Sequence, residues 1–146
     1  MGNILWLASY PKSGNTWMRA FIQNFFSNAQ EPMQINEIGG GGITTAANKS
    51  RWFEALDTRP PSEWTTDEIN QMRAPAQKVL ADSFPSSVFC KTHAPVMFLD
   101  GHPTINLSVS SGAIYMVRNP LDVAVSFADF QGISIDDAIT LMATPG

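Results

Sequence analysis

The chain has a single cysteine, Cys90, in 146 residues, so it can form neither an internal disulfide nor a cysteine-based zinc cluster. A reducing compartment is the simple expectation. Histidine is nearly as scarce, with two residues, which leaves no ligand set for a metal. Charged residues make up only 15% of the chain, against roughly 25% in an average soluble domain. That shortage excludes a disordered acidic tail, a coiled coil and a highly charged nucleic-acid arm. Nine Lys plus Arg against thirteen Asp plus Glu leave a net charge of −4. No global field draws polyanions, nucleic acid is not expected as a partner, and any anion site must be local. Long hydrophobic runs are missing too, because the most apolar N-terminal stretch soon meets Pro11 and Lys12. With no membrane span and no basic leader, a cytoplasmic protein is expected.

What the chain does have is an alternation of apolar runs and amphipathic stretches. Asn3 to Ser9 is a continuous apolar run, the pattern of a strand buried on both faces of a parallel sheet. It ends in Tyr10-Pro11-Lys12-Ser13-Gly14-Asn15, a turn-forming stretch. Trp17, Phe21 and Phe25, with Met18, Ile22 and Phe26, then recur at four-residue spacing and predict a helix with an apolar stripe. Gly39 to Gly42 reads as a loop. Ser50 to Asp57 suits a short helix stopped by Pro60 and Pro61. Thr65 and Glu68 have the spacing of a capping box, so a helix should start there, with Pro75 kinking or dividing it. Val88 to Thr92 and Ala113 to Val117 are two further strand candidates. Asn119-Pro120 makes a cap and first turn for a helix striped by Val123, Phe127 and Phe130 and ended by Gly132. Ser134 with Asp137 caps a last helix. Three strands alternating with helices predict an α/β fold, a parallel sheet flanked by helices, over residues 1–146.

Lys12, Lys91 and Arg118 all fall at or just past predicted strand ends. In open parallel sheets ligands bind beyond the carboxyl ends of the strands, so these cations would converge on one anion pocket. Around Lys12, a glycine loop opening a helix aims backbone N–H groups at a phosphate, and Ser13 and Thr16 add hydroxyl donors. It is not a Walker A loop, since Lys12 precedes Gly14.

Ser9-Tyr10-Pro11-Lys12-Ser13-Gly14-Asn15-Thr16-Trp17 resembles the 5′-phosphosulfate-binding loop of sulfotransferases that use 3′-phosphoadenosine 5′-phosphosulfate (PAPS). The family commonly has Thr where this chain has Asn15. Val117-Arg118-Asn119-Pro120, continued through Ser126-Phe127, is similar to the same family's 3′-phosphate motif. Lys91-Thr92-His93-Ala94-Pro95 resembles the segment that carries its catalytic histidine. The resemblance implies a P-loop-like sulfotransferase fold with PAPS as co-substrate, 3′-phosphoadenosine 5′-phosphate (PAP) as product, and no metal. It implies His93 as general base for an acceptor hydroxyl or amine. Lys12 would stabilise the leaving oxygen, and Lys91 would hold sulfuryl or 5′-phosphate oxygens. The loop from Lys12 through Ser13, Gly14, Asn15 and Thr16 would cradle the 5′ side, and Arg118 with Ser126 would grip the 3′-phosphate. Trp17 either lies against the adenine or heads the core-facing stripe.

Two alternatives remain at this point, a P-loop-type nucleotide or small-molecule kinase and a non-catalytic nucleotide-binding module. The missing Walker A order and His93 argue against the kinase. Family members continue beyond the point where this chain stops, into a loop that closes over the nucleotide. A parallel sheet of so few strands would also leave an apolar edge unpaired. The chain is therefore expected to be the N-terminal portion of a sulfotransferase domain, open to self-association through that edge and of low activity alone. The small-molecule acceptor is not readable from the residues.

Overall fold

The first apolar run forms β1 (Ile4–Ser9), and in the computed structural model, which describes residues 3–28, 30–38 and 42–144, this strand lies inside the sheet. It is followed by α1 (Asn15–Ser27), β2 (Thr44–Ala46), α2 (Ser50–Glu54), α3 (Thr66–Asp82) and β3 (Val88–Thr92). A two-residue hairpin, β4 (Phe98–Leu99) and β5 (His102–Pro103), leads to β6 (Ser110–Met116), α4 (Pro120–Gln131) and α5 (Ile135–Ala143). The sheet order is β2-β3-β1-β6 with all pairings parallel, so the expected parallel α/β architecture is present.

Register places the site. Ala8 pairs with Thr92 and Ser9 with Met116, so β1, β3 and β6 end level with one another. The segments after them, Tyr10–Gly14, His93 and Val117–Asn119, therefore leave the sheet along a single edge. On one face Ile4, Trp6, Val88 and Cys90 pack against Trp52, Phe53, Ala76 and Leu80 of α2 and α3. Burial of such side chains contributes about 1.5–3 kcal/mol each. Two indole N–H groups are satisfied within this layer, Trp6 donating to Ser110 Oγ at 2.7 Å and Trp52 to the Ala46 carbonyl at 2.9 Å.

Several expectations need correction. A fourth parallel strand, β2, was not anticipated; its Thr44 and Thr45 are fully buried despite their polarity. Thr44 meets this by donating its hydroxyl to Gln23 Oε1 of α1 at 3.1 Å. Pro75 does not divide α3, which runs from Thr66 to Asp82. The missing N–H costs one helical bond, about 3 kcal/mol with the ring clash, and the burial of Ala76, Leu80 and Ala81 just beyond it offsets that loss. The third strand begins at Ser110 rather than Ala113. The stripe of Trp17, Phe21 and Phe25 is exposed, and α1 instead turns Asn15, Ile22 and Gln23 inward. In α4, Val123 is buried as its stripe predicts but Phe130 is exposed. The glycine run falls at residues 39–42, of which 39–41 lie outside the described residues.

Candidate active site

The β1–α1 loop is shaped by two left-handed residues, Lys12 at φ 64° and Gly14 at φ 99°. Glycine takes this conformation freely, whereas Lys12 holds it against a steric preference. This alternating backbone hand is that of an anion-binding nest, within which the Ser13 N–H donates to the Tyr10 carbonyl at 3.2 Å. The first helical bond runs from Met18 N to Gly14 O at 3.1 Å. The N–H groups of Asn15, Thr16 and Trp17 are consequently left over at the positive end of α1. The Ser13 hydroxyl has no hydrogen-bond partner among the described residues, and Thr16 is exposed.

Asn15 is set apart from its neighbours. Its side chain is buried and points back into the sheet, Nδ2 donating to the Leu7 carbonyl at 2.8 Å and to Ser9 Oγ at 3.2 Å. What it offers the loop's hollow is its backbone N–H. Its Oδ1 is buried without a partner among the described residues.

Arg118, two residues past β6, reaches across so that Nη1 donates to the Lys12 carbonyl at 3.1 Å. Two of the three strand-end cations are thus joined through the loop. The Lys12 ammonium lies 4.5 Å from the Phe130 ring centroid, over α4. Ser126 lies on α4 about two turns from its Asn119 cap, half-buried. Its hydroxyl has no hydrogen-bond partner among the described residues, so the back-bond to its own helix that commonly occupies such a serine is not formed. A hollow of about 180 Å³ opens between the two loops, lined by Ser13, Arg118, Tyr10 and Tyr115.

His93 stands on the other side of the loop. Its Nδ1 lies 2.7 Å from the Ser9 carbonyl oxygen. A carbonyl only accepts, so Nδ1 carries the proton and donates, and Nε2 keeps its lone pair. Burial holds the imidazole below its ordinary value; the bond to Ser9 opposes this and the charge of Lys91 assists it. Burial, followed by the charge of Arg19, likewise holds the Lys91 ammonium below its usual range. His93 and Lys91 line a larger cavity of about 450 Å³, walled by α2, α3 and the turn at Trp64.

A family model described as a sulfotransferase domain matches residues 3–138. The chain belongs to the sulfotransferase domain family. The matched span includes the β1–α1 loop, the segment from Lys91 to His93, and both Arg118 and Ser126. A search of curated proteins finds none that matches the chain. Membership makes sulfuryl transfer the general chemistry of this domain and a small molecule its acceptor. Among the described residues no helix is long and apolar enough to cross a membrane, and no three His, Cys, Asp or Glu side chains form a group able to hold a metal ion.

The walls of this sulfotransferase domain's larger cavity, among them Asn48, Phe53, Trp64 and Arg73, were not singled out from sequence. The one available signal was the four-residue spacing of Ile69, Arg73 and Gln77. That spacing puts them on one helix face but does not say what the face meets.

Proposed function

We propose that this domain transfers the sulfuryl group of PAPS to a hydroxyl or amine of a small acceptor held in the 450 Å³ cavity, with His93 as general base. The observation that carries the reading is the 2.7 Å bond from His93 Nδ1 to Ser9. It fixes the tautomer whose Nε2 can accept a proton, on a residue that lines the cavity. The lowered pKa keeps that nitrogen unprotonated at neutral pH.

The residues present fit PAPS on the donor side of the loop. Leftover N–H groups of the nest suit a 5′-phosphate, and Arg118 and the unpartnered Ser126 hydroxyl suit a 3′-phosphate. When bound, PAPS supplies a sulfuryl group activated by its phosphate anhydride link. Trp17 is 84% exposed, which removes the core reading and leaves its ring available to adenine. Lys12 neutralises the negative charge that develops on the departing bridging oxygen. Its contact with Phe130 is worth only about 0.5–1 kcal/mol at an exposed site, less than a charge-assisted bond to an oxyanion. Lys91 adds positive charge beside the sulfuryl oxygens. His93 removes the acceptor's proton at Nε2 as the acceptor atom bonds to sulfur.

Sulfuryl transfer from PAPS to a panel of phenols, alcohols and amines, followed by acceptor mass, tests the reading. His93→Ala is expected to lower transfer by at least about a hundredfold while PAP affinity by calorimetry stays nearly unchanged. Full turnover in that variant would overturn the assignment of the base.

A further inference from the structure

The larger cavity is lopsided in charge: Lys91, His93 and Arg73 line it, and no Asp or Glu does. Among its other polar walls, Gln77 and Thr104 are committed, while the buried Trp64 indole N–H has no hydrogen-bond partner among the described residues. Gln77 Nε2 donates to the Thr104 carbonyl at 2.8 Å, and its Oε1 accepts from Asn106 N at 2.6 Å. Thr104 Oγ1 is bound to the Met97 backbone. Arg73 differs. Its Nε donates to Asn70 Oδ1 at 3.0 Å, and the buried Asn70 in turn donates to Asp100 at 3.3 Å. That chain of bonds fixes the guanidinium plane. Neither terminal nitrogen has a hydrogen-bond partner, and Arg73 forms no ion pair, among the described residues.

The cavity also has an aromatic wall, the Phe53 and Trp64 rings lying 6.1 Å apart between centroids and tilted by 37°. A guanidinium with two open donors at such a wall is suited to bidentate capture of a carboxylate. Resting on the transfer reading above, we propose that the preferred acceptor is a hydroxylated aromatic acid. Its hydroxyl faces His93, its ring lies along Phe53 and Trp64, and its carboxylate is taken by Arg73. The volume, about 450 Å³, lies in the range of pockets that bury one small organic ligand.

The test uses three acceptors on one skeleton: hydroxyphenylpropionate, its neutral methyl ester and the cationic amine tyramine. Initial rates with PAPS are measured beside calorimetric binding in the presence of PAP, for the parent protein, Arg73→Gln and Arg73→Lys. The acid should exceed the ester by about tenfold through KM and Kd, the effect of one charge-assisted bond partly open to solvent. Tyramine should be the poorest. Arg73→Gln should bring the acid-to-ester ratio near one, and Arg73→Lys should keep part of it. An ester equal to the acid in the parent protein, or a ratio that Arg73→Gln leaves intact, would overturn the inference. Arg73-dependent binding of the acid without sulfation of any acceptor would support the anion subsite and count against the transfer reading. Sulfation of all three alike would do the reverse.

Discussion

His93 owes its protonation state to burial and the charge of Lys91 set against the bond to Ser9, and the sign of the result can be measured. Burial disfavours the imidazolium and outweighs the bond to Ser9, so its pKa lies below the ordinary 6.5. A general base works in its neutral form, so kcat/KM should stay level as pH falls to 6.5 and drop only below it. An acid limb with its midpoint above 6.5 would contradict this. The same shift acts on stability: below 6.5 the unfolded chain takes up the proton before the native one, so folding weakens as pH falls through that window. At this scale the placement of the motif residues was legible because it depends on local order, a glycine with positive φ or a serine two turns into a helix. Asn15 was not. Sequence places it beside the phosphate, but whether its amide turns outward or toward Leu7 is settled by what β1 leaves unsatisfied.

Helix α3 shows how an element is held from its end and from its buried face. The Thr65 hydroxyl accepts from Glu68 N, and the Glu68 carboxylate accepts from Thr65 N at 2.8 Å. The cap and Arg59 hold that carboxyl down at about 2. Thr65→Ala should cost about 1 kcal/mol, whereas Leu80→Ala, at a fully buried position, should cost about 2–5 kcal/mol. Denaturant unfolding followed by circular dichroism checks both, and equal losses would contradict the packing described. The caps of α3, α4 and α5 were readable because each is a short-range pattern of polar donors and acceptors. Strand β2 was not, since three residues reading Thr-Thr-Ala carry no apolar signal. Their burial comes from β3 on one side and Gln23 of α1 above.

At the scale of the whole molecule the sheet order, among the described residues, leaves β6 with a partner on one side only. Tyr115 and Val117 at this edge are exposed, as are Leu121 on α4 and the aromatic stripe of α1. Four-residue spacing marks a helix as two-faced without saying which face finds cover, which is why that stripe read as core. An open strand edge beside apolar side chains, with a net charge of only −4 to oppose contact, favours self-association. Light scattering should show molar mass rising with concentration, and Tyr115→Lys should reduce the rise; a constant monomer mass would contradict it. The level ends of β1, β3 and β6 are also a property of the whole sheet. They put Ser13 and Arg118 on one side of the loop and His93 on the other, the separation that the proposed donor and acceptor sites require. Calorimetric titration of the purified protein with PAP and with adenosine 5′-phosphate tests this most directly. PAP should bind at least about tenfold more tightly, and Arg118→Ala should erase most of the difference. Equal affinity of the two nucleotides for the parent protein would contradict a 3′-phosphate site at Arg118 and Ser126.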